Sequence, residues 1–322
     1  MKKLFRSKIF LCILAIGVAV VTFISFSTPI GGSFNDVVVL QDNDIADHSP
    51  VRATLMREAY DSAGGKYIYA RDLYGGFSAI NVGNAPEVRT GENFVADIGY
   101  DKSTAQYKWL GLVRVDPWMT FPLIQGLGEL GRNMLFHVPM AMVAFIAFIV
   151  AMVNSILYLR KKKADYDRRA RAASAAGLLF TILATVTGAI WAKFSWGAFW
   201  NWDPRQTSIF ILLLIYFAYF ILRSLLEESE DKKARVAAVY NIIAGVSMPF
   251  LFFVVPRITQ SLHPGGGGDP APLINLSGKV YADRTLVNMH WIAVLLYTLV
   301  YLWISNLYTR IVKVQERNVE TY

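Results

Sequence analysis

The chain has 322 residues, 54% of them hydrophobic, and carries a formal net charge of +8. With a mean hydropathy of +0.37, it is too apolar for an ordinary soluble domain. Its single cysteine, Cys12, excludes an intrachain disulfide, and without a C-x-x-C motif the chain has neither a thiol-redox centre nor a C-x-x-C-H attachment site. The composition therefore indicates a membrane protein.

Six apolar runs are each long enough to cross a bilayer, which takes roughly 17–25 residues. They lie at 9–26, 135–159, 172–192, 207–222, 236–255 and 286–305. The first run exceeds the ~7–15 apolar residues of a signal peptide and no A-x-A site follows it, so we interpret it as an uncleaved anchor. These runs predict an all-α polytopic membrane protein with six transmembrane helices and an extracytoplasmic, mostly β insertion between spans one and two.

Basic residues indicate the orientation, because they concentrate on the cytoplasmic side of membrane proteins. They precede the first span, fill the connections between spans two and three and between spans four and five, and follow span six. With six spans, all four segments fall on one side, while the long segment after span one is net acidic. We therefore expect both termini in the cytoplasm, and this asymmetry accounts for the net charge without a nucleic-acid partner.

Four parts follow from this topology. They are a cytoplasmic N-terminus with its membrane anchor (1–28), an extracytoplasmic β-rich insertion (29–130), a five-helix membrane domain with a tryptophan-rich outer loop (131–310) and a cytoplasmic tail (311–322).

The insertion contains short β-like runs separated by Gly, Asn, Asp and Pro, which predict a small, mostly antiparallel β module. The runs are 37–40, 66–72, 94–98 and 107–115. Segment 121–133 has the character of a short interfacial helix that returns the chain to the membrane. His48, the only histidine of the insertion, is expected to be solvated.

A tryptophan-rich segment carries the clearest functional signal. Trp191, Trp196, Trp200 and Trp202 fall within twelve residues, between two apolar runs and therefore at a membrane surface. Together with Phe199, four indoles favour a platform for a flat, amphipathic ligand over a simple interfacial belt. The small residues Thr187, Gly188 and Gly197 nearby predict close helix packing.

Asp203 directly follows the tryptophans and has the pattern of a helix N-cap, with Pro204 at N1 and Gln206 at N3. Gln206 could complete a capping box with the Asp203 N–H. The same arrangement turns the N-terminus of a helix towards the platform, where it favours carboxylates. Arg205 and Lys193 add positive charge there, so haem propionates would suit this end.

Three of the four histidines lie near the outer ends of spans. His137 opens span two, His263 follows span five and His290 lies near the start of span six. Imidazole is a common axial ligand of haem iron, although a histidine at a wet boundary is often only a hydrogen-bonding group. Zinc is the competing metal, with Asp203 or Asp269 as a further ligand, but the chain has no H-E-x-x-H or other closely spaced pair.

These residues resemble a known family. The pattern W-G-x-x-W-x-W-D-x-R-x-T-S over 196–208 is similar to the tryptophan-rich signature of the cytochrome c assembly proteins, and most similar to their haem exporter protein C branch, CcmC. T-G-x-x-W over 187–191, Phe136-His137-Val138-Pro139 and Ser261-Leu262-His263 match further elements of that branch. The resemblance covers roughly residues 130–310, in order.

The resemblance implies non-covalent binding of haem b at the outer face of the bacterial cytoplasmic membrane. His137 and His263 would be the axial ligands, and the tryptophan loop would be the platform. Haem would pass to the periplasmic chaperone CcmE, with the help of ABC transporter subunits and a small membrane subunit, and the chain would not be an enzyme. His290 is outside the family pair and stays a spare ligand candidate.

The sequence departs from the family pattern in two places. The insertion at 29–125 has no counterpart in that pattern, and His263 is followed by Pro264 and four glycines at 265–268.

Two alternative functions remain open. A haem lyase of the CcsA or CcmF type shares the tryptophan motif, but usually has more spans and histidines deep in the membrane. A small-molecule transporter is disfavoured, because no charge lies deep in the six runs.

Overall fold

The computed structural model describes residues 8–83, 88–124, 127–226, 229–263 and 284–319. The chain divides into two compact units. A helical unit contains Met1–Val21, Asn133–Gly278 and Val287–Tyr322, and a barrel unit contains Thr22–Arg132 and Lys279–Leu286. Helix α1, Lys8–Ser27, begins in the first unit and ends in the second.

The barrel unit starts with strand β1, Ile30–Gly31, and helix α2, Phe34–Asp42. The predicted strand at 37–40 is therefore wrong. A capping box begins the helix instead: the Asp36 amide donates to Ser33 Oγ, and the Asp36 carboxylate accepts from the Ser33 amide. The buried side chains of α2 recur every third residue, at Phe34, Val37 and Leu40, so one helical face packs inwards.

Five strands form a closed barrel in the order β2-β3-β4-β6-β5. They are β2 His48–Tyr60, β3 Lys66–Asp72, β4 Phe77–Asn81, β5 Asn93–Asp101 and β6 Gln106–Val115. Neighbours pair antiparallel except β4 and β6, which are parallel, so the module is mostly antiparallel as predicted. Alternate residues such as Val51, Ala53 and Leu55 of β2 fill the core.

The segment after the barrel differs from the predicted interfacial helix at 121–133. Strand β7, Phe121–Pro122, pairs parallel with β1, and a 3-10 helix follows at Gly128–Leu135. His48 is exposed at the start of β2, as expected. The turn at 84–86 that separates two predicted strands lies outside the described residues.

In the described part of the chain, six helices are long and apolar enough to cross a membrane, as the sequence predicts. After α1 they are α3 His137–Lys161, α4 Ala164–Trp196, α5 Pro204–Leu225, α6 Glu230–Pro249 with its continuation, and α8 Arg284–Val319. The continuation of α6 is a π-helical turn, Phe250–Val254, followed by the short helix α7, Val255–Ile258. Pro256 lacks the amide that a regular helix would need at that point.

Helix α4 is longer than the predicted span 172–192, because it starts at Ala164. The basic connection predicted around 160–171 is therefore helical except for Lys162 and Lys163, and Lys162 turns the chain with a left-handed φ of +52°. Two residues join α3 and α4 into an antiparallel hairpin. Gly177 of α4 lies against Phe148 of α3, whose ring stacks on Tyr216 of α5 at 3.7 Å.

Candidate functional site

His137, the first residue of α3, is held against the C-terminal half of α4. Its Nδ1 lies 2.9 Å from the carbonyl oxygen of Ala184 and 3.3 Å from the hydroxyl of Thr187. A carbonyl can only accept, so Nδ1 carries the proton and Nε2 keeps its lone pair. Asn133 strengthens the same junction by donating from Nδ2 to the Thr187 carbonyl at 3.0 Å.

Gly188 makes room for this imidazole. A β-carbon at Gly188 would lie 2.7 Å from Cε1 of His137, closer than real β-carbons approach other atoms. The close packing predicted for this stretch is therefore a contact between α4 and the His137 ring. Trp191, less than one turn further along α4, places its ring edge-on to His137, with the centroids 6.3 Å apart.

His263 is held from a different part of the chain. Its Nδ1 lies 3.0 Å from Oδ1 of Asp203, and its ring packs edge-on against Trp196 at 4.7 Å. An ionised carboxylate only accepts, so this ring also carries its proton on Nδ1 and keeps Nε2 as a free lone pair. The His263 side chain is 24% exposed, whereas that of Asp203 is fully buried.

Asp203 is the centre of the hydrogen bonds on this side. Its Oδ1 accepts from the Arg205 amide at 2.9 Å, the N-cap bond predicted from the sequence. Its Oδ2 accepts from the Ser261 hydroxyl at 2.8 Å and from the Leu262 amide at 2.7 Å. The carboxylate therefore fastens the segment before His263 to the start of α5, a role that the cap pattern alone does not reveal.

Burial opposes ionisation of Asp203, but the hydrogen bonds from His263, the Arg205 amide and Ser261 outweigh it, so the pKa of Asp203 lies well below its usual range. Burial lowers the pKa of His263. The bond to Asp203 offsets this only in part, and the charge of Arg205 lowers the pKa further. At neutral pH the pair is thus a carboxylate and a neutral imidazole, the form in which histidine binds metals.

The predicted capping box at Asp203 is wrong in its second half. Gln206 does not return to the Asp203 amide. Its Oε1 accepts from the Asn201 amide at 2.8 Å, and its Nε2 donates to the Phe199 carbonyl at 3.3 Å. The Gln206 side chain therefore reaches from the first turn of α5 to the tryptophan loop. There it satisfies backbone groups of residues 199 and 201.

The tryptophan loop forms a second aromatic group. Trp200 lies edge-on to Trp202 at 5.8 Å and to Phe210 at 6.0 Å. Trp202 is 69% exposed and Phe199 57% exposed. Trp202 also adopts a left-handed φ of +55°, which is rare for a bulky residue and is found most often at functional sites.

Lys193 and Arg205 lie at opposite ends of the tryptophan loop. Lys193 Nζ donates to the Gly197 carbonyl at 2.9 Å and lies 5.8 Å from the centre of the Phe199 ring. Lys193 thus stabilises the C-terminal end of α4, where a cation is favoured. Arg205 lies in the first turn of α5, and its charge acts on both imidazoles. His290 is buried on α8, 4% exposed, beside Trp291.

The structure therefore brings His137 and His263 to the same end of the helical unit, each beside an indole of α4. Within the described residues, no group of three His, Cys, Asp or Glu side chains is placed to hold a metal ion, so zinc gains no support there. Asp269 lies outside those residues. The arrangement suits a ligand whose own ring supplies the remaining metal donors.

This is a multi-helix membrane protein with a histidine- and tryptophan-lined site at one end of its helices. A family model described as Heme exporter protein C, CcmC, matches residues 116–321, more than half of the chain. The chain belongs to that family. The match begins after the barrel strands, so the last ten residues of the 29–125 insertion fall within the matched range.

Individual proteins of this and a related family are similar to the chain. Heme exporter protein C of Paracoccus denitrificans is 33% identical over 145 residues, 45% of this chain and 60% of that protein. A putative cytochrome c biosynthesis ccmC-like mitochondrial protein of Arabidopsis thaliana is 27% identical over 194 residues, 59% of this chain and 73% of that protein. Cytochrome c biogenesis protein CcsA of Fagopyrum esculentum is 30% identical over 100 residues, 31% of this chain and 30% of that protein. The chain spans less than two thirds of the first bacterial relatives.

Proposed function

We propose that this protein binds haem b non-covalently as its cargo, with His137 and His263 as the two axial ligands. One observation carries the proposal: both imidazoles direct a protonated Nδ1 to a fixed acceptor, Ala184 O or Asp203 Oδ1, and each keeps an Nε2 lone pair. Proteins commonly orient a histidine ligand in this way, by a hydrogen bond from the ring nitrogen that does not bind the metal. The two rings come from different elements but lie at one end of the helical unit.

The aromatic residues suit the porphyrin. Trp191 and Trp196 flank the two imidazoles, while the exposed Trp202 and Phe199 and the half-buried Trp200 would form an apolar shelf in the loop that follows Trp196. Aromatic contacts of this kind contribute about 0.5–1.5 kcal/mol each beyond burial. The start of α5, with Arg205 in its first turn, is the favoured place for the propionates, whereas Lys193 supports the loop through Gly197.

The biological role that fits best is haem hand-over during c-type cytochrome maturation, without catalytic turnover. Relatives named Heme exporter protein C support the transport role. By the resemblance of the sequence, the receiver would be the periplasmic chaperone CcmE, and ABC transporter subunits and a small membrane subunit would assist. The site would face the periplasm from the bacterial cytoplasmic membrane, because the basic link Lys162–Lys163 lies at the opposite ends of α3 and α4.

In this role, Asp203 and its hydrogen-bond partners would hold the His263 ligand and orient its ring. Asp203 keeps the His263 ring in one orientation and ties residues 261–262 to α5, so loss of those bonds would free His263. The glycine run 265–268, a candidate for release control, lies outside the described residues. A rigid replacement of that run that left haem transfer unchanged would remove it from the mechanism.

A haem lyase of the CcsA type is the second candidate, and the match to the Fagopyrum esculentum protein favours it. The two functions differ in whether a covalently haem-loaded cytochrome is formed. A lyase forms a covalent bond between haem and an apocytochrome, whereas a hand-over protein does not. Reconstitution of this chain alone with haem and an apocytochrome distinguishes them by whether haem stays on the cytochrome after denaturation.

The ligand assignment is tested by visible spectra of purified protein titrated with haem. The wild type should give a low-spin, six-coordinate spectrum. His137→Ala and His263→Ala should each lose it, and the double variant should bind haem far more weakly. His48→Ala, in the barrel, is the matched control and should keep the spectrum, as should His290→Ala. A full low-spin spectrum in the double variant would contradict the assignment, and its loss in His290→Ala would move one ligand to His290.

A further inference from the structure

A cavity of about 610 Å³, with several charged side chains in its wall, lies at the opposite end of the helical unit, where α3 ends and α4 begins. Its walls come from α3, α4, α5, α6 and α8. The basic and aromatic residues that matter are Tyr158, Lys162, Arg168, Arg171, Phe220 and Arg223. The haem site proposed above does not use any of them.

The carboxylates of this cavity already have partners. Asp167 accepts two hydrogen bonds from Arg223, and Glu316 accepts from Arg168 at 2.6 Å. Glu230 pairs with Lys233, and Asp231 pairs with Arg235 and accepts from the Tyr158 hydroxyl. Among the described residues of the wall, each carboxylate therefore already faces a basic partner.

Two cations of the wall have no such partner among the described residues. Arg171 lies 5.9 Å from the centre of the Tyr308 ring, and Lys162 lies 5.8 Å from that of Tyr158. Neither is paired with a carboxylate in the described part of the chain. Contact with a ring stabilises a cation but leaves its charge in place. Over the described residues of the wall, five basic side chains therefore face four carboxylates, a surplus of one positive charge.

We propose that this cavity binds the phosphate group of an anionic phospholipid. The size favours a lipid over free phosphate, because about 610 Å³ is in the range of sites for whole small molecules. The depth agrees: residues 164–171 extend α4 by about 12 Å beyond its apolar run, into the layer where headgroups lie. Basic pockets between helices at the cytoplasmic surface are known to hold such headgroups.

Thermal unfolding of the delipidated full-length protein in detergent tests the proposal. Phosphatidylglycerol should raise the melting temperature of the wild type, whereas phosphatidylcholine with the same chains and inorganic phosphate should have little effect. Arg171→Gln together with Lys162→Gln should weaken the response to phosphatidylglycerol about tenfold in apparent affinity. Arg169→Gln is the control, because it removes one charge from an exposed neighbour outside the cavity wall.

Equal stabilisation by both lipids, or an unchanged response in the double variant, would overturn the proposal. A shift with inorganic phosphate as large as that with phosphatidylglycerol would support the anion chemistry and overturn the lipid source. Native mass spectrometry of the wild type, which needs no variant, should retain phosphatidylglycerol in preference to phosphatidylcholine. Retention of neither would also count against the site.

Discussion

Asp203 shows how one side chain can serve local structure and a distant site together. The sequence predicts its role as N-cap of α5, since Pro204 follows it and the first turn needs an acceptor. Its bonds to Ser261, Leu262 and His263 join residues about 60 positions apart, so no local sequence pattern predicts them. The cap is therefore predictable from spacing, and the clamp on His263 becomes visible only in the structure.

Replacement of Asp203 by Asn should weaken haem binding while keeping the helix cap, because Asn is also a good N-cap but is not an anion. Loss of such a supporting carboxylate typically costs 10–100-fold in affinity for the metal group. Absorbance titration with haem measures the loss, and thermal unfolding reports on the helix. Ser261→Ala removes the hydroxyl bond to Oδ2 and the bond from the His263 amide to the Ser261 oxygen, but leaves the bond between Asp203 and the His263 ring, so it should have a smaller effect. Equal affinity in Asp203→Asn and wild type would refute the clamp.

Gly188 gives a second prediction at this scale. In Gly188→Ala the new methyl group would meet the His137 ring and displace it, so the haem spectrum should change and affinity should fall about tenfold or more. Gly245→Ala is a matched control, because its β-carbon would meet Met152 at 2.8 Å, at a comparable distance but away from the imidazoles. Both variants should melt earlier. A normal spectrum in Gly188→Ala would show that this contact does not position His137.

At the scale of elements, the failures of sequence reasoning have identifiable causes. Strand β3 is found at the predicted residues, because its alternation is regular and glycines bound it on both sides. The run at 37–40 looks like a strand because it is β-branched, yet the capping box at Ser33 starts a helix there. The S-x-x-D pattern and the three-residue spacing of Phe34, Val37 and Leu40 were the available signals.

The early part of α4 was predicted as a loop because it is rich in charge. It is helical because partners on other helices neutralise those charges: Asp167 pairs with Arg223 of α5, and Arg168 pairs with Glu316 of α8. Such pairs join residues 56 and 148 positions apart, so a local window cannot reveal them.

The buried pair of Asp167 and Arg223 leads to a prediction about stability. Asp167→Asn or Arg223→Met alone should destabilise the protein by about 3–5 kcal/mol, because each leaves the other charge buried without its partner. The double variant Asp167→Leu/Arg223→Met should recover much of the lost free energy of unfolding, because it leaves no unpaired buried charge. Thermal unfolding in one detergent compares the variants. A double variant as unstable as the sum of the single ones would argue against a mutual interaction.

At the scale of the whole molecule, the six spans and the mostly antiparallel module could be predicted from sequence, whereas the assignment of His137 and His263 as haem ligands stays a prediction. The barrel closure and the acceptors behind His137 and His263 could not. Periodicity reports on one element at a time, whereas closure depends on pairing between β2 and β5, and the histidine acceptors lie on other elements.

The proposed orientation can be tested in a background in which Cys12 is replaced by Ser. A membrane-impermeant maleimide should label Thr104→Cys, in the exposed turn between β5 and β6, in intact spheroplasts. Lys163→Cys, in the link between α3 and α4, should react only after permeabilisation. The reverse pattern would place the imidazoles in the cytoplasm, and labelling of both without permeabilisation would contradict the six-span topology.

The parallel pairing of β4 with β6 has a consequence for how anything recognises the barrel. It joins the five strands into a ring through two residue pairs only, Ile80 with Tyr107 and Asn81 with Lys108. Beyond Lys108, the described pairings give β6 a strand partner only on its β5 side. An extended strand that docks by main-chain bonds would therefore find backbone partners at this seam, next to the short closure.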